Sequence, residues 1–159
     1  MFTLPQLLEE DIQQIHAVLR DLLKKSDATL ALLIDQGGFL IAWQGDAGSF
    51  DLTSIAALSS GAYMANQTIA GLVEETTFSS VYQQGEKHSV FITAVNDQCQ
   101  LVVIFESKTG VGVVKYYSAA VTELIAAQLH VASARDPEAG VDLSVLNLAD
   151  PSEVFRRAH

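Results

Sequence analysis

The stretch LVVIFESKTGVGVVKYY, Leu101–Tyr117, decides how this chain is read: a continuous apolar run, a glycine pair, then apolar residues at helical spacing. A strand, glycines and a helix in that order is a setting in which phosphate rests on helix N-terminal amides. The stretch is therefore either a nucleotide site or a packing junction. A Walker loop needs Gly-x-x-x-x-Gly-Lys-Ser/Thr, which the chain lacks, and Gly110-x-Gly112 is without the third glycine of a dinucleotide fingerprint. The junction reading assigns Gly110 and Gly112 to a reversal and close packing, where a positive φ or a missing Cβ is needed.

Upstream of this stretch, SVFITAV (Ser89–Val95) alternates in polarity and meets LVVIF across the turn Asn96-Asp97-Gln98, while SSVYQQGE (Ser79–Glu86) is a polar, weaker run. Earlier still, ATLALLI (Ala28–Ile34), the turn Asp35–Gly38 and FLIAW (Phe39–Trp43) form a hairpin whose first strand is apolar on both faces. Three helices are predicted. Thr3, Pro5 and Gln6 have capping-box spacing ahead of Leu8, Ile12, Ile15, Leu19 and Leu22, ending near Lys25. Asp51 caps a helix to about Gly71 with a core stripe of Ile55, Leu58, Ala62, Ala65, Ile69 and Leu72. The last runs from about Gly112 to Val131 on Val114, Tyr117, Val121 and Leu124. The order αββαβββα, with strands joined by tight turns, predicts an α/β sandwich on a five-stranded antiparallel sheet, with LVVIF central and SSVYQQGE at an edge.

The 159 residues suit one domain, and a net charge of −10 with no Lys/Arg run longer than two argues against nucleic acid and anionic lipid. A protein partner with a basic patch fits better. The N-terminus has no signal pattern, the apolar runs are far shorter than the roughly 20 residues of a membrane span, and Cys99 is alone, so a cytoplasmic protein without membrane insertion is expected. Beyond Arg135 the composition shifts to Asp, Pro, Glu, Gly and Ser. The expected division is a domain over 1–134 and a flexible acidic tail over 135–159, where Asp150, Pro151 and Glu153 are spaced to start a short helix carrying Val154 and Phe155.

Catalytic chemistry finds no constellation. His16, His88, His130 and His159 fall on separate elements without metal-ligand spacing, and Ser59-Ser60-Gly61 sits inside a helix rather than on a nucleophile elbow. Glu9-Glu10-Asp11 and Glu74-Glu75 read as solvated charge, and Cys99 as structural. No catalytic, cofactor or metal residue is assigned, and the chain is not expected to be an enzyme. Two surface features remain. Ala57, Gly61, Met64, Thr68 and Gly71 make a second line on the middle helix, free to pack inside the subunit or against a partner, and the edge run offers unpaired backbone to a second copy.

LLIDQGGFLIAWQG, FDLTSIAALSSGAYMANQTIAGLVEE, FSSVYQQGEKHSVFITAV and QLVVIFESKTGVGVVKYY, in this order, resemble the Roadblock/dynein light chain family and within it the bacterial MglB-like group, over about Asp11 to Val131. The resemblance implies a homodimer with middle helices side by side and the sheet continued through Val81, Tyr82, Gln83 and Gln84. It implies that one dimer binds a GTP-loaded, MglA-like Ras-type GTPase in control of polarity or gliding motility. Hydrolysis would be accelerated by reorienting the GTPase's own catalytic residues without an arginine finger; Arg20 is the one arginine in the expected domain. The implied contact residues are Ala57, Gly61, Met64, Ala65, Thr68 and Leu72, of which Met64 and Thr68 are bulkier than the Ala and Gly of some relatives. The alternatives are a dimeric scaffold without activating function and a small-molecule sensor or enzyme with a cleft near Gly110–Gly112. Val154 and Phe155 are an additional candidate docking point.

Overall fold

The structure is a computed structural model and describes residues 4–135, so Thr3, Val154 and Phe155 lie outside the described residues. The elements follow the expected order: α1 (Glu9–Ser26), β1 (Leu30–Asp35), β2 (Leu40–Gly45), α2 (Leu52–Leu72), β3 (Ser80–Gln83), β4 (His88–Ala94), β5 (Cys99–Glu106) and α3 (Val111–Ala134). All strand pairs are antiparallel, in the order β2-β1-β5-β4-β3. The two continuously apolar strands, β1 and β5, are buried on both faces and hold the middle, whereas the polar run forms the short edge strand β3. Pleating sends Ala31, Leu33, Leu101, Val103 and Phe105 to a core under α1 and α3, and Leu30, Leu32, Ile34, Val102 and Ile104 to a second core with Ala56 of α2. The edges differ. β3 pairs with β4 in unbroken register, while β2 carries a bulge, with Leu33 opposite Ala42 but Ile34 opposite Leu40.

Helix α1 begins later than the Pro5 spacing predicts, because Asp11 supplies the N-terminal acceptor: its carboxylate takes the Leu8 amide at 2.8 Å. The solvated reading of the acidic cluster holds for Glu9 and Glu10 but is overturned for Asp11, which is fully buried. Asp11 also accepts Gln128 Nε2 at 2.7 Å and the Arg135 guanidinium at 2.8 and 3.0 Å. The Arg135 hydrogen bonds, joined by those of Leu8 and Gln128, outweigh burial and hold this carboxyl well below the usual carboxylate range. The clamp ties the start of α1 to the end of α3 and makes Arg135 a second arginine of the folded body, beside Arg20.

The glycine pair divides in role. Gly110 adopts φ +84° directly before α3, a conformation that favours glycine, but a Cβ on Gly112 would meet nothing within 4 Å, so close packing does not explain it. On α3 the buried line is Val114, Ser118, Val121, Ile125 and Leu129; Leu124, assigned to the core from its spacing, faces solvent.

Candidate functional site

Helix α2 is 21 residues long and carries no charged side chain. Its start is set by Asp51, whose carboxylate accepts the Ser54 amide at 3.2 Å and hydroxyl at 2.6 Å; these bonds lower the Asp51 pKa. Its underside is built of small residues, Ala56, Ser59, Ser60 and Ala70, which let the helix lie close on the sheet. Ser60 Oγ donates to the Gln36 carbonyl at 2.7 Å, which satisfies the hydroxyl and fastens the β1–β2 turn to the helix. Gln67 holds the segment leading to β3: it donates to the Phe78 carbonyl at 2.9 Å and accepts the Phe78 amide at 3.1 Å and the Thr77 hydroxyl.

The predicted core stripe of α2 is therefore corrected. Leu58 is 74% exposed and Leu72 80%, and Ala65 and Ile69 also face outward, so that of the stripe only Ile55 and Ala62 pack against the sheet core. The second line is exposed throughout: Ala57, Gly61, Met64, Thr68 and Gly71 all face outward, and a Cβ on Gly61 or Gly71 would meet nothing within 4 Å. The structure thus gathers Ala57, Gly61, Met64, Ala65, Thr68 and Leu72 on one open surface, broadened by Leu58, Ile69 and Val73.

Toward the β3 edge this surface dips into an apolar cavity of about 470 Å³ between α2 and the sheet, lined by Phe50, Ile55, Leu58, Ala62, Val90 and Ile104. Val81 is half-buried, while Tyr82 and Gln83 are exposed on β3 and Gln84 lies one residue beyond it. The Cys99 thiol, pushed up to about 12 by burial, stays protonated and is no nucleophile. Gly110 and Gly112 lie at the other layer's helix, away from this surface. Among the described residues, no helix is long and apolar enough to cross a membrane.

The absence of charge from α2 is a sequence signal for the open face, beside the second line of mostly small residues. A helix with one buried side normally carries charge on the other, and α2 carries none across the face it leaves open.

Comparisons with known proteins agree with this fold. The Roadblock/LC7 domain family model matches residues 14–105. The structure is similar to that of Myxococcus xanthus MglB, with 31% identity, a TM-score of 0.70, and coverage of 74% of this chain and 95% of that one. It is similar to the gliding protein MglB from Thermus thermophilus, with 26% identity, a TM-score of 0.73 and coverage of 82% and 98%. It is also similar to an MglB with a tetrameric arrangement, at 25% identity, a TM-score of 0.77 and coverage of 83% and 99%. Comparison with curated protein sequences gives no match.

Proposed function

The chain belongs to the Roadblock/LC7 family, and from that premise we propose that it is a homodimeric activator of an MglA-like Ras-type GTPase rather than an enzyme itself. The observation that carries the reading is the charge-free helix α2 with its outer face of Leu58, Met64, Ile69, Leu72 and Val73 left open. Apolar surface of this extent is what an interface supplies, since its burial is worth roughly 25 cal/mol per Å². Similarity to MglB structures supports a regulator of this type, and the tetrameric arrangement of one of them supports self-association.

In this reading a second copy pairs with β3 through Val81, Tyr82 and Gln83, with Gln84 following, and its α2 lies beside the first. The GTPase rests on Ala57, Gly61, Met64, Ala65, Thr68 and Leu72. The regulator works in the cytoplasm in polarity or gliding control; 1–134 forms the Roadblock domain, and the tail 135–159 adds a docking point at Val154 and Phe155.

Activation by reorientation fits the placement of cations. Among the described residues the arginines are Arg20 on α1 and Arg135, engaged by Asp11, both on elements across the sheet from α2. Among the described residues, no arginine stands at the α2 face to enter a partner's active site. The regulator would instead turn the GTPase's own glutamine and arginine onto the phosphoryl group, an electrostatic gain that in trans-acting systems reaches about 10³ to 10⁵ in rate.

The test is phosphate release by the GTP-loaded GTPase with and without the full chain. Acceleration is expected, and Met64→Arg or Thr68→Arg should abolish it while sedimentation shows an intact dimer. Binding without faster release would establish the scaffold reading instead.

A further inference from the structure

Two large aromatic side chains lie outside the surface described above, at the β2 end of the sheet. Phe39 is 73% exposed and Trp43 38%. Trp43 stands opposite Leu32, a residue of the core beneath α2, and so lies on the α2 side of the sheet. Phe39 is presented by a turn that is pinned throughout. Its amide donates to Asp35 Oδ1 at 2.9 Å, its carbonyl accepts the Asp35 amide at 2.9 Å, and the Gly38 amide donates to the Asp35 carbonyl at 2.9 Å. Gly38, at φ +86°, lies so near α2 that a Cβ would come within 2.9 Å of Ala57 Cα. An exposed aromatic carried on a backbone already fixed spares the ordering of the turn on binding, which suits an interface anchor. Because the turn rests on Ala57, this anchor is continuous with the small-residue line of α2.

Three observations select the occupant. β2 and β3 lie at opposite ends of the sheet, four strand spacings or about 19 Å apart, so a second copy joined at β3 leaves this end free. The bulge in β2 spoils the regular backbone row that an added strand would need, so side chains rather than backbone do the contacting. Between Lys25 and Lys87 the chain has no Lys, Arg or His, while Asp35, Asp46 and Asp51 stand around the hairpin; a second copy meeting here would set carboxylate against carboxylate.

We propose that the β1–β2 hairpin, through Phe39 and Trp43, is a second contact for the GTPase partner, received by an apolar depression bordered by lysine or arginine side chains. The inference rests on the function proposed above in taking that partner to engage α2.

Trp43 is the only tryptophan, so the full chain grown with 5-fluorotryptophan reports on this site alone. The probe is an MglA-like GTPase loaded with a non-hydrolysable GTP analogue. Its addition should shift the single fluorine resonance, and Phe39→Ala should weaken binding at least about tenfold without altering self-association, as loss of an aromatic anchor does. Asp46→Lys should slow association several-fold at low salt. Binding that leaves the resonance unmoved and tolerates Phe39→Ala within about twofold overturns the inference and leaves the α2 interface standing, provided Met64→Arg still abolishes it. A changed dimerisation constant for Phe39→Ala overturns it in favour of a second copy. Absence of binding by the unmodified chain removes both proposals.

Discussion

Replacing Asp11 by Ala removes one carboxylate that holds the Leu8 amide at 2.8 Å, Gln128 Nε2 at 2.7 Å and the Arg135 guanidinium at 2.8 and 3.0 Å. The Leu8 contact does the work of a helix cap, about 1 kcal/mol. The Gln128 bond adds about 1 kcal/mol, and the ion pair, whose arginine side chain keeps 22% of its surface exposed, about 1 kcal/mol more. The expected loss is about 3 kcal/mol, which at a urea slope of about 2 kcal/mol/M lowers the midpoint by about 1.5 M. Unfolding is followed by Trp43 fluorescence at one protein concentration, since self-association would add to apparent stability. Glu10→Ala is the control. That carboxylate reaches Arg135 at 3.4 Å while largely exposed, and its removal should cost less than about 0.5 kcal/mol. The pH dependence has a definite sign: the Asp11 pKa is depressed on folding, so its contribution is complete above the unfolded value near 4 and fades as pH falls toward the folded one. The deficit of Asp11→Ala should therefore hold steady from pH 7 to about pH 5 and shrink below about pH 4. A midpoint within about 0.3 M of the parent, or a deficit undiminished at about pH 2.5, would refute the clamp as a stabilising unit.

Gly38→Ala forces a side chain into φ +86° and against the Ala57 backbone, and should cost about 1 to 3 kcal/mol in the same urea assay; a neutral result would contradict the close turn–helix approach. Gly61→Ala meets open space inside a helix and should raise stability by about 0.5 to 1 kcal/mol while weakening GTPase binding, measured side by side. Cys99 should resist iodoacetamide at about pH 8 in the folded protein and react once urea unfolds it; because its thiol ionises near 8.5 unfolded but only near 12 folded, stability should fall as pH rises past about 8.5. In the proposed dimer, Gln83→Lys would place like charges near each other across paired β3 strands and should raise the dimer dissociation constant about tenfold by sedimentation, leaving the monomer folded.

Where burial alone decides structure, the sequence was legible. The continuous apolar runs of β1 and β5 located the sheet centre, the polar run located an edge, and Asp51 located the start of α2. It misled where a residue serves a contact that periodicity does not encode. Leu58, Ile69 and Leu72 recur at core spacing yet face outward, since helical period reports that a face is apolar and not what covers it. Asp11 looked like its exposed neighbours Glu9 and Glu10, because the arginine that makes its burial tolerable lies 124 residues away. The second line on α2, with Gly61, Met64 and Thr68, stood out by its regular steps and mostly small side chains, which left packing inside the subunit or against a partner open; the structure leaves it exposed.

The unlike ends of the sheet bear on how assembly stops. A sheet with two pairable edges has no reason to stop at two subunits: each joined copy offers its far strand to the next, and the product is a filament. Here one end is in regular register and the other is bulged, so the proposed two-fold pairing at β3 would use the more regular edge and leave the bulged one. The single displaced residue, Ile41, opposite the Leu33–Ile34 step, is thus a chain terminator for growth. If the chain pairs at β3 as proposed, straightening β2 by deleting Ile41 would turn a closed pair into a unit for polymerisation.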